Sequence, residues 1–328
     1  RFLLVDMFLY NDFQGKEPET TRLLSGELTD ALVSRKVRNP DMTIVLITDP
    51  INTVYGSLPS AQFERLREAG IDVVVTDLTK LRDPNPLYSL VWRLLIRPFG
   101  NSTRGWVPSP IGAGRKVTLR SYFAAFNVKA NHRKVVIADR GDDWCGLVTS
   151  ANPHDASSAH TNVAIRFTGP AVQDLLHTEN AVIALSGREP VAAEIRPPPQ
   201  VPGATVQVLT ERAIKHAALR LIDQCRRNER LRVATFYLSD RDIIDALARA
   251  RRRHVALRLL LDPNKDAFGN PKFGIPNRAA AEELHAAGVD IRWVHTHGEQ
   301  CHTKMLLRED MSGEAVILLG SANLTRRN

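Results

Sequence analysis

Two stretches of the chain carry the same order of apolar and polar positions. Leu257-Arg258-Leu259-Leu260-Leu261-Asp262-Pro263-Asn264 is a short apolar run closed by a turn, and Thr43-Ile44-Val45-Leu46-Ile47-Thr48-Asp49-Pro50-Ile51-Asn52 is its counterpart. Each predicts a buried strand. A helical pattern follows and stops at a glycine suited to a helix C-cap, Phe63 to Gly70 in one copy and Ala279 to Gly288 in the other. Next comes a second strand, Ile71-Asp72-Val73-Val74-Val75 or Val289-Asp290-Ile291-Arg292-Trp293-Val294. A further strand–helix pair precedes each Asp-Pro strand: Phe2 to Tyr10 with Thr21 to Arg35, and Leu231 to Leu238 with Arg241 to Arg251. Such self-similarity is an internal duplication. Strands apolar on both faces and separated by helices predict an α/β class, with mixed, mostly parallel sheets flanked by helices. The expected organisation is two similar domains related by a pseudo-twofold, over residues 1–190 and 204–328. The Pro-rich segment 191–203, with Pro197, Pro198, Pro199 and Pro202, would be a stiff linker between them.

The copies differ in length. About 48 extra residues, near 78–129, lengthen the first copy before its last strands. They include Leu87-Tyr88-Ser89-Leu90-Val91-Trp92-Arg93-Leu94-Leu95-Ile96-Arg97-Pro98-Phe99, apolar and aromatic, with Arg93 and Arg97 four apart. Two readings compete. The segment is a lid or interfacial helix giving substrate access through Trp92, Arg93 and Arg97, or it is an amphipathic helix packed on the core.

Each copy then ends in one polar constellation. The first reads Asn131-His132-Arg133-Lys134 with Asp139 five residues on, then Ser150-Ala151-Asn152; the second reads Cys301-His302-Thr303-Lys304 with Glu309, then Ser321-Ala322-Asn323. Both fit His-x-Lys-x4-(Asp/Glu) followed by Ser-x-Asn. Residues two apart on a strand share a face, so each copy presents an imidazole beside an ammonium, with a hydroxyl and an amide on the next strand. Brought together about the twofold, two Lys and two Asn donate hydrogen bonds to a phosphoryl oxygen. Two His divide an in-line displacement, one attacking phosphorus and the other protonating the leaving oxygen. A lone His-x-Lys would be edge decoration; its recurrence with Ser-x-Asn inside a duplication argues against coincidence. His295, His297, Cys301 and His302 have ligand-like identities, but the first copy has no such cluster, so no metal site is expected. His295 and His297 are read as lining the cleft mouth or facing solvent.

The paired motifs resemble the phospholipase D superfamily, and the feel is of bacterial phospholipase D and cardiolipin synthase around Phe126 to Lys134. The resemblance implies two similar α/β domains with the active site between them, a covalent phosphohistidine and no cofactor. It implies His132 as nucleophile, His302 as general acid and then base, and Lys134, Lys304, Asn152 and Asn323 as phosphate ligands. Asp139, Glu309, Ser150 and Ser321 take supporting roles. Two departures stand out. Where relatives carry a later Asn-x-Glu whose Glu orients a catalytic His, this chain reads Asn162-Val163-Ala164, with Asp155 as a substitute acid; the second copy stops at Asn328 before any such element. The C-terminus is therefore expected to be truncated. The start at Arg1, in the apolar run Phe2-Leu3-Leu4-Val5, suggests that a native N-terminus is also missing.

Composition narrows the substrate less. The formal net charge is +8 and apolar residues make up 43% of the chain, which excludes a disordered tail or a fibre and favours an anionic partner. Arg supplies 34 of the 44 cations, which suits phosphate recognition or reflects codon bias. Three cysteines make no disulfide framework, and no run of 18 apolar residues spans a bilayer. The expected substrate is a glycerophospholipid at a membrane surface, its phosphatidyl group passing to water or an alcohol. That placement is peripheral to a membrane, or secreted or periplasmic. A cardiolipin synthase is a variant of this reading. A metal-independent nuclease is the alternative, supported by the charge but not by any basic run interleaved with aromatics. Both His-Lys pairs are intact, which weighs against a catalytically dead lipid- or nucleic-acid-binding module.

Overall fold

The computed structural model describes residues 2–15, 22–101, 104–109, 111, 114–139, 141, 143–193, 203–267, 270–271 and 274–326. Most of the Pro-rich segment expected as a linker lies outside them. The chain forms two compact units. One comprises Arg1–Leu147, Asn152–Ser158 and Arg166–Val206, the other Val148–Ala151, Ala159–Ile165 and Gln207–Asn328.

The N-terminal half runs β1 (Phe2–Met7), α1 (Leu24–Arg38), β2 (Thr43–Thr48), α2 (Ala61–Glu68), β3 (Asp72–Val75), α3 (Pro86–Val91), β4 (Val107–Pro108), β5 (Lys116–Val117), α4 (Leu119–Ala124), β6 (Lys134–Asp139), β7 (Trp144–Thr149), β8 (Ala164–Thr168) and α5 (Ala171–Leu185). Its main sheet has the order β3-β2-β1-β6-β7-β8. β1, β2 and β3 are parallel, and β6 returns antiparallel to β1. The apolar runs make this arrangement: Leu4, Leu46 and Ile47 are fully buried, and Phe63 and Leu66 of α2 close over the sheet. Each such side chain contributes about 2 kcal/mol. Ser60 caps α2 by accepting from the Phe63 N–H, and Gly70 ends it with φ +78°.

The C-terminal half repeats the plan as α6 (Arg212–Asp223), β9 (Arg230–Thr235), α7 (Arg241–Arg252), β10 (Ala256–Leu261), β11 (Asp266–Ala267), β12 (Asn270–Pro271), α8 (Asn277–Ala286), β13 (Asp290–Trp293), β14 (Lys304–Glu309) and β15 (Ala315–Leu319). The sheet order β13-β10-β9-β14-β15 matches β3-β2-β1-β6-β7 strand for strand. β9, β10 and β13 are parallel and β14 is antiparallel to β9. The α/β class read from the apolar periodicity is the architecture observed.

The segment between β3 and β6 corrects one reading of the sequence. α3 continues through one wide turn, Trp92–Ile96, closed by the Arg97 N–H on the Trp92 carbonyl at 2.8 Å. The helix does not lay its leucines on a core. Leu87, Leu90, Val91, Leu94 and Leu95 are exposed, whereas Ser89 is buried and Arg93 turns to Asp83 at 2.7 Å. Arg93 thus forms an ion pair within the segment. Trp92 is half-buried, and Arg97 is exposed.

Candidate active site

Strand register fixes the chemistry of each motif. Lys134 lies opposite Met7, and Lys304 opposite Thr235. One residue on, the N–H of Phe8 donates to the Arg133 carbonyl at 3.1 Å, and that of Phe236 to the Thr303 carbonyl at 3.0 Å. These bonds seat a phenyl ring under each His-Lys pair. Phe8 lies 4.7 Å from the His132 ring and Phe236 5.0 Å from that of His302. The same rings receive the ammonium groups of Lys134 at 4.9 Å and Lys304 at 5.0 Å. Each ammonium also donates to the carbonyl of its own histidine, at 2.8 Å for Lys134 and 2.6 Å for Lys304. Both lysines are buried. Burial lowers the Lys134 ammonium to about 7, although the charges of Asp6 and Asp49 pull it back up.

Two side chains per unit clip the loops that carry these groups. Asp49 accepts the Asn131 N–H at 2.7 Å, and Asp262 accepts the Cys301 N–H at 2.6 Å, each one residue before the histidine. Their other oxygens accept from Ile51 and Asn264. Burial pushes Asp49 up to about 7, against these N–H bonds and the nearby Lys134 charge. Asn52 bridges the same turn: it accepts the Tyr10 N–H and donates to the carbonyls of Phe8 and Asp49. Asn277 does the same with the Leu238 N–H and the carbonyls of Phe236 and Asp262. The repeated Asp-Pro was visible in the sequence. The asparagine was not, because Asn52 follows its Asp by three residues, whereas Asn277 starts α8 beyond the β11-β12 hairpin. Behind the first motif lies one more buried group. Asp6 receives Asn131 Nδ2 at 2.9 Å and is held well above the carboxylate range, by burial first and then by the charge of Glu179.

The remaining expected residues divide by what they touch. Asn152 is buried and accepts the Leu9 N–H at 3.1 Å. Asn323 and Ser321 follow β15 and are half-buried. Ser150 is fully buried, with its hydroxyl between the Val163 N–H and Asn162 Oδ1, so it supports the backbone instead of facing a substrate. Asp139 and Glu309 end their strands, away from the lysines, and Glu309 pairs with Arg232 at the surface.

The orientation of His302 answers the missing Asn-x-Glu. Its Nδ1 lies 2.9 Å from the Ser150 carbonyl and 3.3 Å from Asn162 Oδ1. Asn162 donates from Nδ2 to the His160 carbonyl, which turns Oδ1 toward the ring. Two acceptors put the proton of the neutral imidazole on Nδ1 and the lone pair on Nε2. An amide and a peptide carbonyl thus stand where a carboxylate was expected. Asp155, the acid the sequence offered as a substitute, accepts the N–H and hydroxyl of Ser25 on its Oδ1. Among the described residues no group of three or more His, Cys, Asp or Glu could hold a metal ion. The rings of His295 and His297 stack edge-on at 4.5 Å.

Comparison with known proteins places the second half most clearly. Residues 218–328 match the family described as cardiolipin synthase, PLD-like domain. No curated protein matches the chain in sequence. Among solved structures, polyphosphate kinase from Porphyromonas gingivalis is similar over 100% of this chain and 38% of its own, at 12% identity and a TM-score of 0.48. The chain thus spans about two fifths of that protein. A phospholipase D family member, Nuc from Salmonella typhimurium, is similar over 34% of this chain and 65% of its own, at 22% identity and a TM-score of 0.26. A mutant of yeast tyrosyl-DNA phosphodiesterase is similar over 99% of this chain and 77% of its own, at 8% identity and a TM-score of 0.46.

Two substitutions test this geometry. Asn277→Ala strands a buried N–H and two carbonyls and is expected to cost about 2–4 kcal/mol, read as a lower urea midpoint at unchanged slope. Asn162→Asp places a carboxylate beside His302 and is expected to move its protonation to higher pH, followed by NMR titration of the ring; a titration unchanged from the native chain would separate Asn162 from His302.

Proposed function

We propose that this chain, whose residues 218–328 form a phospholipase D-like domain, is a phosphoryl-transfer enzyme of the phospholipase D superfamily that cleaves a glycerophospholipid phosphodiester. The carrying observation is the duplicated constellation: in each unit a buried lysine, bound to its own histidine carbonyl over a phenyl ring, beside that histidine. In this reading His132 Nε2 attacks phosphorus, the bond from phosphorus to the leaving oxygen breaks, and His302 supplies the proton to that oxygen. His302 then takes a proton from water or an alcohol, whose oxygen displaces His132 from the phosphohistidine. Lys134, Lys304, Asn152 and Asn323 steady the phosphoryl oxygens. Water gives phosphatidic acid, and an alcohol gives a new phosphatidyl ester, the chemistry a cardiolipin synthase uses. No step calls for a metal. Cleavage of nucleic acid is the second reading, favoured by the positive charge alone.

Vesicles of phosphatidylcholine or phosphatidylglycerol with added ethanol are expected to yield phosphatidylethanol in the presence of EDTA, and single-stranded DNA to stay intact. His132→Asn and His302→Asn are each expected to abolish turnover with the circular dichroism unchanged. Substantial residual activity in either variant would sink the two-histidine mechanism. DNA cleavage without lipid turnover reverses the ranking.

Phosphate binding itself has a protonic signature. An anion at Lys134 favours the ammonium, so a lysine titrating at about 7 when empty regains its proton on binding. Between pH 7 and the ordinary lysine range, inorganic phosphate is expected to bind with proton uptake. Calorimetry in two buffers of different ionisation enthalpy measures it, and Lys134→Met is expected to remove it.

A further inference from the structure

One segment of the chain is strongly basic. Residues 78–129 hold nine Lys and Arg against the single acid Asp83, a balance of +8, which equals the net charge of all 328 residues. The other residues carry 35 charges of each sign, 21 basic against 15 acidic in residues 207–328 and 14 against 20 in the rest. Asp83 is itself consumed by Arg93 and Lys129, at 2.7 and 2.6 Å. Lys80, Arg82, Arg97, Arg104 and Lys116 are exposed and make no ion pair among the described residues.

The same segment concentrates exposed apolar surface. It holds half of the exposed large apolar side chains among the described residues, in about a sixth of the chain. Leu87, Leu90, Val91, Leu94 and Leu95 recur at helical spacing on the outer face of α3 and its wide turn, Leu87 being 76% exposed. Phe99 and Trp106 are 71% and 69% exposed. The inner face carries the polar anchors. Tyr88 donates to the Phe123 carbonyl at 2.7 Å, Ser89 is buried, and Arg93 holds Asp83. A helix resting on a core has the opposite polarity. Leucines outward, aromatics beside them and unpaired cations around them are the complement of an anionic lipid interface, where apolar side chains enter the acyl boundary and cations meet headgroups. A second copy docked segment to segment would bring +8 against +8.

We propose that residues 78–129 dock the protein on anionic phospholipid bilayers, with the leucine face of α3 as the inserted element. Docking is peripheral, since no helix among the described residues is long and apolar enough to cross a membrane. It concerns a surface outside the histidine motifs and is read without turnover, so it stands or falls apart from the chemistry proposed above.

Co-sedimentation of the full chain with vesicles tests it. Vesicles of equal phosphatidylglycerol and phosphatidylcholine are expected to bind about tenfold better than pure phosphatidylcholine, with binding weakened by salt. Leu94→Ser combined with Leu95→Ser, two exposed positions, is expected to lower that binding about tenfold with unchanged circular dichroism. Arg97→Glu combined with Arg104→Glu is expected to remove the preference for phosphatidylglycerol. The proposal is overturned if the native chain ignores anionic vesicles. It is equally overturned if the serine variant binds them like the native chain, or if single-stranded DNA outcompetes them for the segment.

Discussion

A buried ammonium is the constraint around which each unit is organised. Removing a lysine charge from water is costly unless partners replace the hydration, and here the replacement is the same twice. The carbonyl of the preceding histidine, a phenyl ring and a buried aspartate at the end of the neighbouring parallel strand all converge on Lys134 and its setting. Lys304 has the equivalent carbonyl and ring, with Asp262 at the equivalent strand end. The first unit's aspartate does two jobs: it holds the backbone one residue before the histidine, and its charge, opposed by burial, draws the Lys134 ammonium back up. That coupling explains why the loop and the lysine are built as one piece.

The two units meet the constraint with different reserves. Behind Lys134 stands a second layer, in which Asp6, its carboxyl pushed up by burial and by the charge of Glu179, takes the Asn131 amide while Arg133 holds Glu179 at 3.2 Å. In the other unit Cys301 takes the place of Asn131, and its thiol is pushed up by burial. His302 in turn is oriented by neutral acceptors, the Ser150 carbonyl and the Asn162 amide. A histidine oriented without a carboxylate gains no charge partner for its imidazolium, which in the proposed scheme suits a group that gives a proton away.

Charge and apolar surface separate cleanly from this polar machinery. Outside the segment between β3 and β6 the charges of the chain cancel in sum and most large apolar side chains are buried, whereas that segment is strongly basic and exposes its leucines. In the proposed scheme, chemistry resides in the duplicated core and attachment to an anionic surface resides in an insertion. Excess charge of this kind would weaken the sheets by self-repulsion if spread through them.

Periodicity alone determined the α/β class, the duplication and the two His-x-Lys strands, because burial on both faces forces apolar runs and strand alternation forces His and Lys onto one face. The repeated Asp-Pro was likewise legible as a pattern, though not as a clip on the residue before each histidine. Only tertiary structure decided three things. It made Asn52 and Asn277 equivalent, since the match is of hydrogen bonds across strands and not of spacing. It put Asn162 beside His302, a contact 140 residues apart in the chain. And it turned the leucines of α3 outward, because an amphipathic pattern defines two faces of a helix but not which one the neighbours, here Phe123 and Asp83, will hold.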